Sequence, residues 1–127
     1  MRHPYWRTRV IARISRLLLS IRGQPIYEIE RAGGWGTFRR GIIEASPICA
    51  ACGGTRRLQV HHKRPYHLFP ELELVEDNCI VLCDDGPGRM SCHHVIGHGG
   101  NWMSYNPCVV ADAENFRRML RAMKWSR

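Results

Sequence analysis

The run Leu58-Gln59-Val60-His61-His62-Lys63-Arg64-Pro65 decides how this chain is read. Its first half, Leu58-Gln59-Val60-His61, alternates as a short strand should. Consecutive strand side chains point to opposite faces. Two adjacent imidazoles therefore meet different surroundings. If the strand ends or bends at the pair, one ring can bind a metal while its neighbour reaches a water beside it. Downstream, Cys79-Ile80-Val81-Leu82 is a second β-type run, and the stretch 65–77 between the two reads mostly as loop.

Outward from this run lie two groups of cysteines. Cys49-Ala50-Ala51-Cys52 is followed by Gly53-Gly54, a tight turn that lets two thiolates converge on one ion. Cys83 and Cys92 complete a tetrahedral four-cysteine zinc site, with metal–sulfur distances of about 2.3 Å. The loop 84–91 is long for such a site, and Gly86-Pro87-Gly88 folds it back. Buried free thiols are the plainer reading of the same four residues. Cys79 alternates with core positions and Cys108 stands alone after Pro107, so both read as ordinary small apolar residues.

Histidines crowd residues 61 to 98, and His93, His94 and His98 offer further ligands. On a regular helix His94 and His98 share a face because they are four apart. His93 and His98 are five apart and need a distortion, which Gly97 allows. A metal held by only two or three imidazoles keeps open positions for phosphate and water, whereas a four-thiolate site does not. Catalysis thus falls to the histidines and scaffolding to the cysteines. Glu71-Leu72-Glu73-Leu74 reads as an exposed strand or loop edge rather than a carboxylate metal site. Tyr66, His67 and Trp102 pack the site or its loop.

Three amphipathic helices frame this centre. Val10, Ile11, Ile14, Leu17, Leu18 and Ile21 recur at helical spacing over residues 7–22, ending at Gly23. Trp35, Phe38, Ile42 and Ala45 make one face of a helix over 35–45, with Arg39 and Arg40 directed elsewhere, and Ser46-Pro47 stops it. A short helix over 91–97 carries the last histidines. Asn106-Pro107 caps a final helix. Val110, Ala113, Phe116, Leu120 and Met123 form its apolar stripe, and Arg117, Arg118, Arg121 and Lys124 its basic outer face.

Composition bounds the rest. At 127 residues the chain is one domain with terminal extensions and room for only a modest apolar core. Nineteen Lys and Arg against eleven Asp and Glu give a net charge of +8, which points to an anionic partner, nucleic acid first. Leu17-Leu18-Leu19 is interrupted or flanked by Arg13, Arg16 and Arg22, so it makes neither a secretory core nor a membrane span. A cytoplasmic protein with reduced thiols is expected, and paired cysteine spacing then favours metal over disulfides.

The order Cys-x-x-Cys, His-His, Asn, Cys, Cys-His, with Val60 to Pro65 and Leu68-Phe69-Pro70-Glu71-Leu72-Glu73-Leu74, resembles the HNH endonucleases, especially small phage and bacterial members. The resemblance runs from about Trp35 to Pro107 and extends to Gly97-His98 and Asn101-Trp102. It implies an α+β chain with a small ββα-metal core and a four-cysteine zinc knuckle, flanked by N- and C-terminal helices. Residues 1–34 would be a basic extension, 35–107 the nuclease core and 108–127 the final helix.

By the same resemblance, His61 and His93 would be ligands of a catalytic divalent ion (magnesium, manganese, nickel or zinc), with His98 near a further ligand position. His62 would be the general base, and Asn78 the residue that orients the base or its loop. On spacing alone, Asn78 reads equally as a turn residue before a strand. The spacing from His93 to His98 is five where relatives commonly have four, which leaves the third ligand open. Lys63 and Arg64, with Arg39 and Arg40, are the expected contacts to duplex DNA. The implied activity is metal-dependent hydrolysis of DNA phosphodiester bonds. The competing reading is a non-catalytic zinc-binding, DNA-binding or adaptor module. The terminal helices leave a protein partner or an oligomer open.

Overall fold

In the computed structural model, residues 31–125 are described. The basic helix expected over residues 7–22 lies outside them. The described part is a small α+β unit of two strands and two longer helices, with short turns between. Helix α1 spans Trp35–Ala45, strand β1 Leu58–His62, strand β2 Cys79–Cys83 and helix α2 Val109–Trp125.

Helix α1 begins after Gly34, whose φ of 93° suits glycine at this sharp entry. Its Trp35, Phe38 and Ile42 are half-buried, as expected, and the helix packs on β1. Two expectations fail here. Ala45 is exposed, and Arg39 is half-buried because its Nη2 donates to Leu58 O at 3.1 Å and to Gln59 Oε1 at 2.8 Å. The arginine thus ties α1 to the start of β1 rather than standing free on a basic face.

Strands β1 and β2 pair antiparallel, with His61 opposite Ile80 and His62 opposite Cys79. The pairing extends past both ends: Lys63 N donates to Asn78 O at 2.8 Å, and Asp84 N to Arg57 O at 3.0 Å. The intervening loop contains two single 3₁₀ turns, Pro70–Leu72 and Glu76–Asn78. Glu73, expected on an exposed edge, is instead 3% exposed.

The core contains few large aliphatic side chains. Its fully buried centre is Leu82 and Val109 with Cys49, Cys83 and Cys92, and Ala51, Ile96 and Ala113 pack around them. The turn Cys49–Cys52 is fastened to β2 through Ala50 N and Val81 O at 2.8 Å. A core this small, built on thiols, gains stability chiefly if the thiols hold an ion.

Helix α2 starts at Val109, two residues later than Asn106-Pro107 suggests, with Asp112 N bonded to Cys108 O. Its buried stripe is Val109, Ala113, then half-buried Phe116 and Leu120, while Val110 and Met123 are exposed. Asn106 serves three bonds: it accepts from Cys108 N and donates to Ile96 O and the Asp112 carboxylate. Cys108, expected among small apolar positions, is exposed. No helix of the described residues is long and apolar enough to cross a membrane.

Candidate metal centres

The four cysteines expected to hold zinc do converge. Cys49, Cys52, Cys83 and Cys92 place their sulfurs within 4.8 Å of one another, and Cys52 Sγ lies 3.5 Å from Cys83 Sγ. A tetrahedral ion with metal–sulfur bonds of about 2.3 Å needs sulfurs roughly 3.8 Å apart, so the set fits zinc. Gly54 N points at Cys52 Sγ at 3.3 Å and Cys52 N at Cys49 Sγ at 3.5 Å. Such donors favour thiolates over thiols. The Cys92 thiol foremost, then the backbone N–H groups of Cys52, Ala51 and Cys83, hold the Cys49 thiol down to about 4, despite burial. Burial first, then the neighbouring sulfurs, push Cys52 up to about 11, and the bond to Cys49 pushes Cys92 up as well.

The long loop between Cys83 and Cys92 closes as its glycines suggest. Gly86 N donates to Met90 O at 2.8 Å, and a Cβ on Gly86 would stand 2.9 Å from that oxygen and 3.0 Å from Cys92 Sγ. Only glycine lets the backbone pass so close to the sulfur. Cys79 stays outside the cluster, buried in β2.

At the other end of β1, His61, His93 and His98 bring their ring nitrogens within 4.8 Å of one another. Ring centroids of His61 lie 5.3 Å from His93 and 4.8 Å from His98. The five-residue spacing is accommodated by a π-helical turn over His93–Gly97, whose wider winding aligns positions five apart. His94 consequently turns away and stacks on Trp102 at 4.6 Å. Gly97 is what permits the approach: a Cβ there would be 3.0 Å from His61 Nδ1 and 3.3 Å from His93 Cδ2.

Each of the later two rings is oriented by a partner that sequence spacing did not reveal. His98 Nδ1 lies 3.2 Å from Ser104 O, and a carbonyl only accepts, so Nδ1 carries the proton and Nε2 keeps its lone pair. His93 Nδ1 faces Asp84 Oδ1 at 3.6 Å, and Ser91 Oγ donates to that oxygen at 2.8 Å while accepting from His94 N. Burial keeps all three imidazoles neutral at ordinary pH; His61, crowded also by His98, His93 and His62, is pushed down to about 3. Neutral rings with oriented lone pairs, half-open to solvent at His93 and His98, are the donor set a divalent cation takes.

His62 lies on the opposite face of β1, 4.9 Å from the Trp35 ring and 6.1 Å from Tyr66, and His67 in turn stacks edge-on against Tyr66. Its Nε2 is 2.8 Å from Glu73 O, which fixes the proton on Nε2 and leaves Nδ1 as the acceptor. Burial lowers its basicity, with the Glu73 carbonyl opposing. The Glu73 carboxylate accepts from Ala32 N at 3.2 Å and faces Arg31 at 3.7 Å, and Arg31 covers the Tyr66 ring at 4.0 Å and Trp35 at 4.5 Å.

Asn78 is not a simple turn residue. Its Oδ1 accepts from Arg64 N at 2.9 Å, and its Nδ2 donates to Arg64 O and Leu72 O. One amide therefore clamps Arg64, two residues past His62, to Leu72, the residue before Glu73, whose carbonyl orients His62. Of the expected DNA contacts, Arg64 lies over Phe69 at 5.6 Å, Lys63 Nζ donates to Asp77 O, and Arg40 reaches Thr37 Oγ1. Glu73, Asp84, Ser91, Ser104 and Arg31 were missed in sequence. They act through carbonyls and loop closure, and no spacing rule signals that. No family model, curated protein or solved structure matches the chain.

Proposed function

We propose that the chain is an HNH-type endonuclease that hydrolyses DNA phosphodiester bonds, with a structural zinc at Cys49, Cys52, Cys83 and Cys92. The supporting observation is the convergence of His61, His93 and His98, with protonation fixed by Ser104 at His98 and aided by Asp84 at His93, at the end of a strand that also carries the oriented His62. On this reading the two strands and the turn after Ser91 are a ββα-metal core.

The residues divide the reaction between them. His61, His93 and His98 would hold the divalent ion. When bound, that ion supplies positive charge to the phosphate and the departing 3′ oxygen. His62, neutral at physiological pH, takes a proton from the attacking water at Nδ1 while Nε2–H stays on Glu73 O. Burial and the Arg31 charge disfavour the imidazolium so formed, and the Glu73 carbonyl and carboxylate oppose them. A phosphodiester laid across the end of β1 would meet both faces. Asn78 preserves this arrangement by holding the loop that carries the Glu73 carbonyl. Lys63 and Arg64, next to the base, are suited to flanking phosphates.

The burial of His62, 7% exposed against Trp35, favours a second reading in which its ring is structural and the protein is a zinc-stabilised DNA-binding module. Supercoiled plasmid incubated with magnesium, manganese or nickel separates the two. The nuclease produces open circles, and His62→Ala lowers the rate by roughly 10³-fold while keeping zinc and DNA binding. No nicking with any of these ions by the folded protein would overturn the proposal.

A further inference from the structure

Behind the cysteine knuckle, a cavity of about 370 Å³ is lined by Arg56, Arg57, Asp84, Asp85 and Arg89. Two features set it apart. Arg57 and Arg89 are the only non-glycine residues at positive φ among those described, at 48° and 63°, and both lie on this one cavity. Glycine would adopt either conformation without strain, so arginine at both positions calls for a reason in the side chain.

The second feature is the charge left over. Asp85 is matched by Arg56 at 3.4 Å. Asp84 is turned toward Ser91 and His93, on the wall shared with the histidine cluster. No hydrogen bond or ion pair engages the guanidinium of Arg57 or Arg89 among the described residues. Two planar guanidinium forks therefore line the recess with no acceptor of their own. Their natural partner is a phosphate, which arginine engages through paired N–H donors.

We propose that Arg57 and Arg89 form a subsite for a backbone phosphate of a nucleic acid strand, one carboxylate removed from His93. This extends the nuclease reading by naming where the strand continues beyond the histidines, and it is read out by binding rather than turnover. Asp84 gives the subsite its address: the same carboxylate that borders the cavity faces His93, so a strand seated there approaches the cation ligands from the knuckle side.

The test uses a fluorescent DNA duplex and the full chain carrying His62→Ala, so that the duplex stays intact. Adding Arg57→Gly and Arg89→Gly should weaken binding on the order of tenfold and reduce the salt dependence by about one unit per arginine. The melting temperature should hold or rise, because glycine relieves the positive φ. Arg57→Lys and Arg89→Lys keep the charge and the strain, and should keep the salt slope. Unchanged affinity and slope in the double glycine variant overturn the proposal, and so does a lysine pair that loses as much slope as the glycine pair. If the glycine pair loses stabilisation by inorganic phosphate but binds duplex fully, the recess takes a free anion and the strand assignment falls. The nuclease reading survives those outcomes, since plasmid nicking by the unaltered protein decides it separately.

Discussion

The cysteine knuckle and the histidine cluster sit at opposite ends of the same two-stranded sheet, and each gathers side chains from β1 or β2 and from a later turn. They differ in closure. The knuckle has four donors, three of them fully buried, with backbone N–H groups aimed at the sulfurs. The cluster has three donors, two of them half-exposed, and its polar supports hold the far side of the His93 and His98 rings instead. Four donors saturate a tetrahedral ion and leave it only a structural task. Three leave a position open. The contrast gives one small chain both a closed and an open set of donors.

The largest effect should come from breaking the closed region. Cys83→Ser removes a fully buried ligand from the centre of the core. Structural zinc contributes apparent binding energies of about 10–16 kcal/mol, comparable to or above the whole stability of a domain. The variant should lose cooperative thermal unfolding and resist neither protease nor chelator. A Cys83→Ser protein that melts like the parent would show that the knuckle is only a cluster of buried thiols. The matching histidine variant, His98→Ala, should keep its melting transition.

Acid should distinguish the two regions next. The His61 ring is held down to about 3, against an ordinary 6.5, by burial first and then by its histidine neighbours. A ring harder to protonate in the folded chain stabilises the fold fully above pH 6.5. That contribution is lost as the pH falls from 6.5 toward 3. Allowing for partial exposure, denaturant titrations at about pH 7 and about pH 4.5 should differ by roughly 2 kcal/mol. Equal stability at the two pH values would mean that the three imidazoles are not packed together.

How much of this was written in the sequence depends on the kind of interaction. The helix 35–45, both strands and the four-cysteine set follow from periodicity, from Pro47 and from paired spacing, all local properties of the chain. The final stripe begins at Val109 rather than Val110, because the helix starts there, with Asn106 outside it accepting from Cys108 N and donating to Asp112 in the first turn. Arg39 looked like a surface charge until α1 met the β1 backbone. Glu73 alternates with leucines as an exposed edge would, yet the loop carries it under Arg31, where its carboxylate finds Ala32 N. The Arg39 and Glu73 outcomes depend on partners 19 and 41 positions away, farther than any helical or strand periodicity reaches. His93 against His94 is the intermediate case. The sequence supplied the extra residue and the glycine, and only the π-helical turn decides which histidine faces His61.

That glycine provides the finest test of the contrast. In the knuckle, the backbone at Gly86 passes so near Cys92 Sγ and Met90 O that a side chain must push the loop away. At Gly97 the crowding is milder: an added Cβ would stand 3.0 Å from His61 Nδ1, 3.2 Å from its Cε1 and 3.3 Å from His93 Cδ2, all ring atoms with some freedom to shift. Gly97→Ala should therefore fold, keep the zinc at the cysteines and displace the two rings by a few tenths of an ångström. Loss of the groups that orient ligands weakens metal affinity by roughly ten- to a hundredfold, and a shift of two rings should act on the same scale. Calorimetric titration with nickel or manganese should find the histidine site weakened in that range and the cysteine site untouched. Unaltered affinity would mean that the three rings have slack, and that closure, rather than exact placement, is all that separates the two centres.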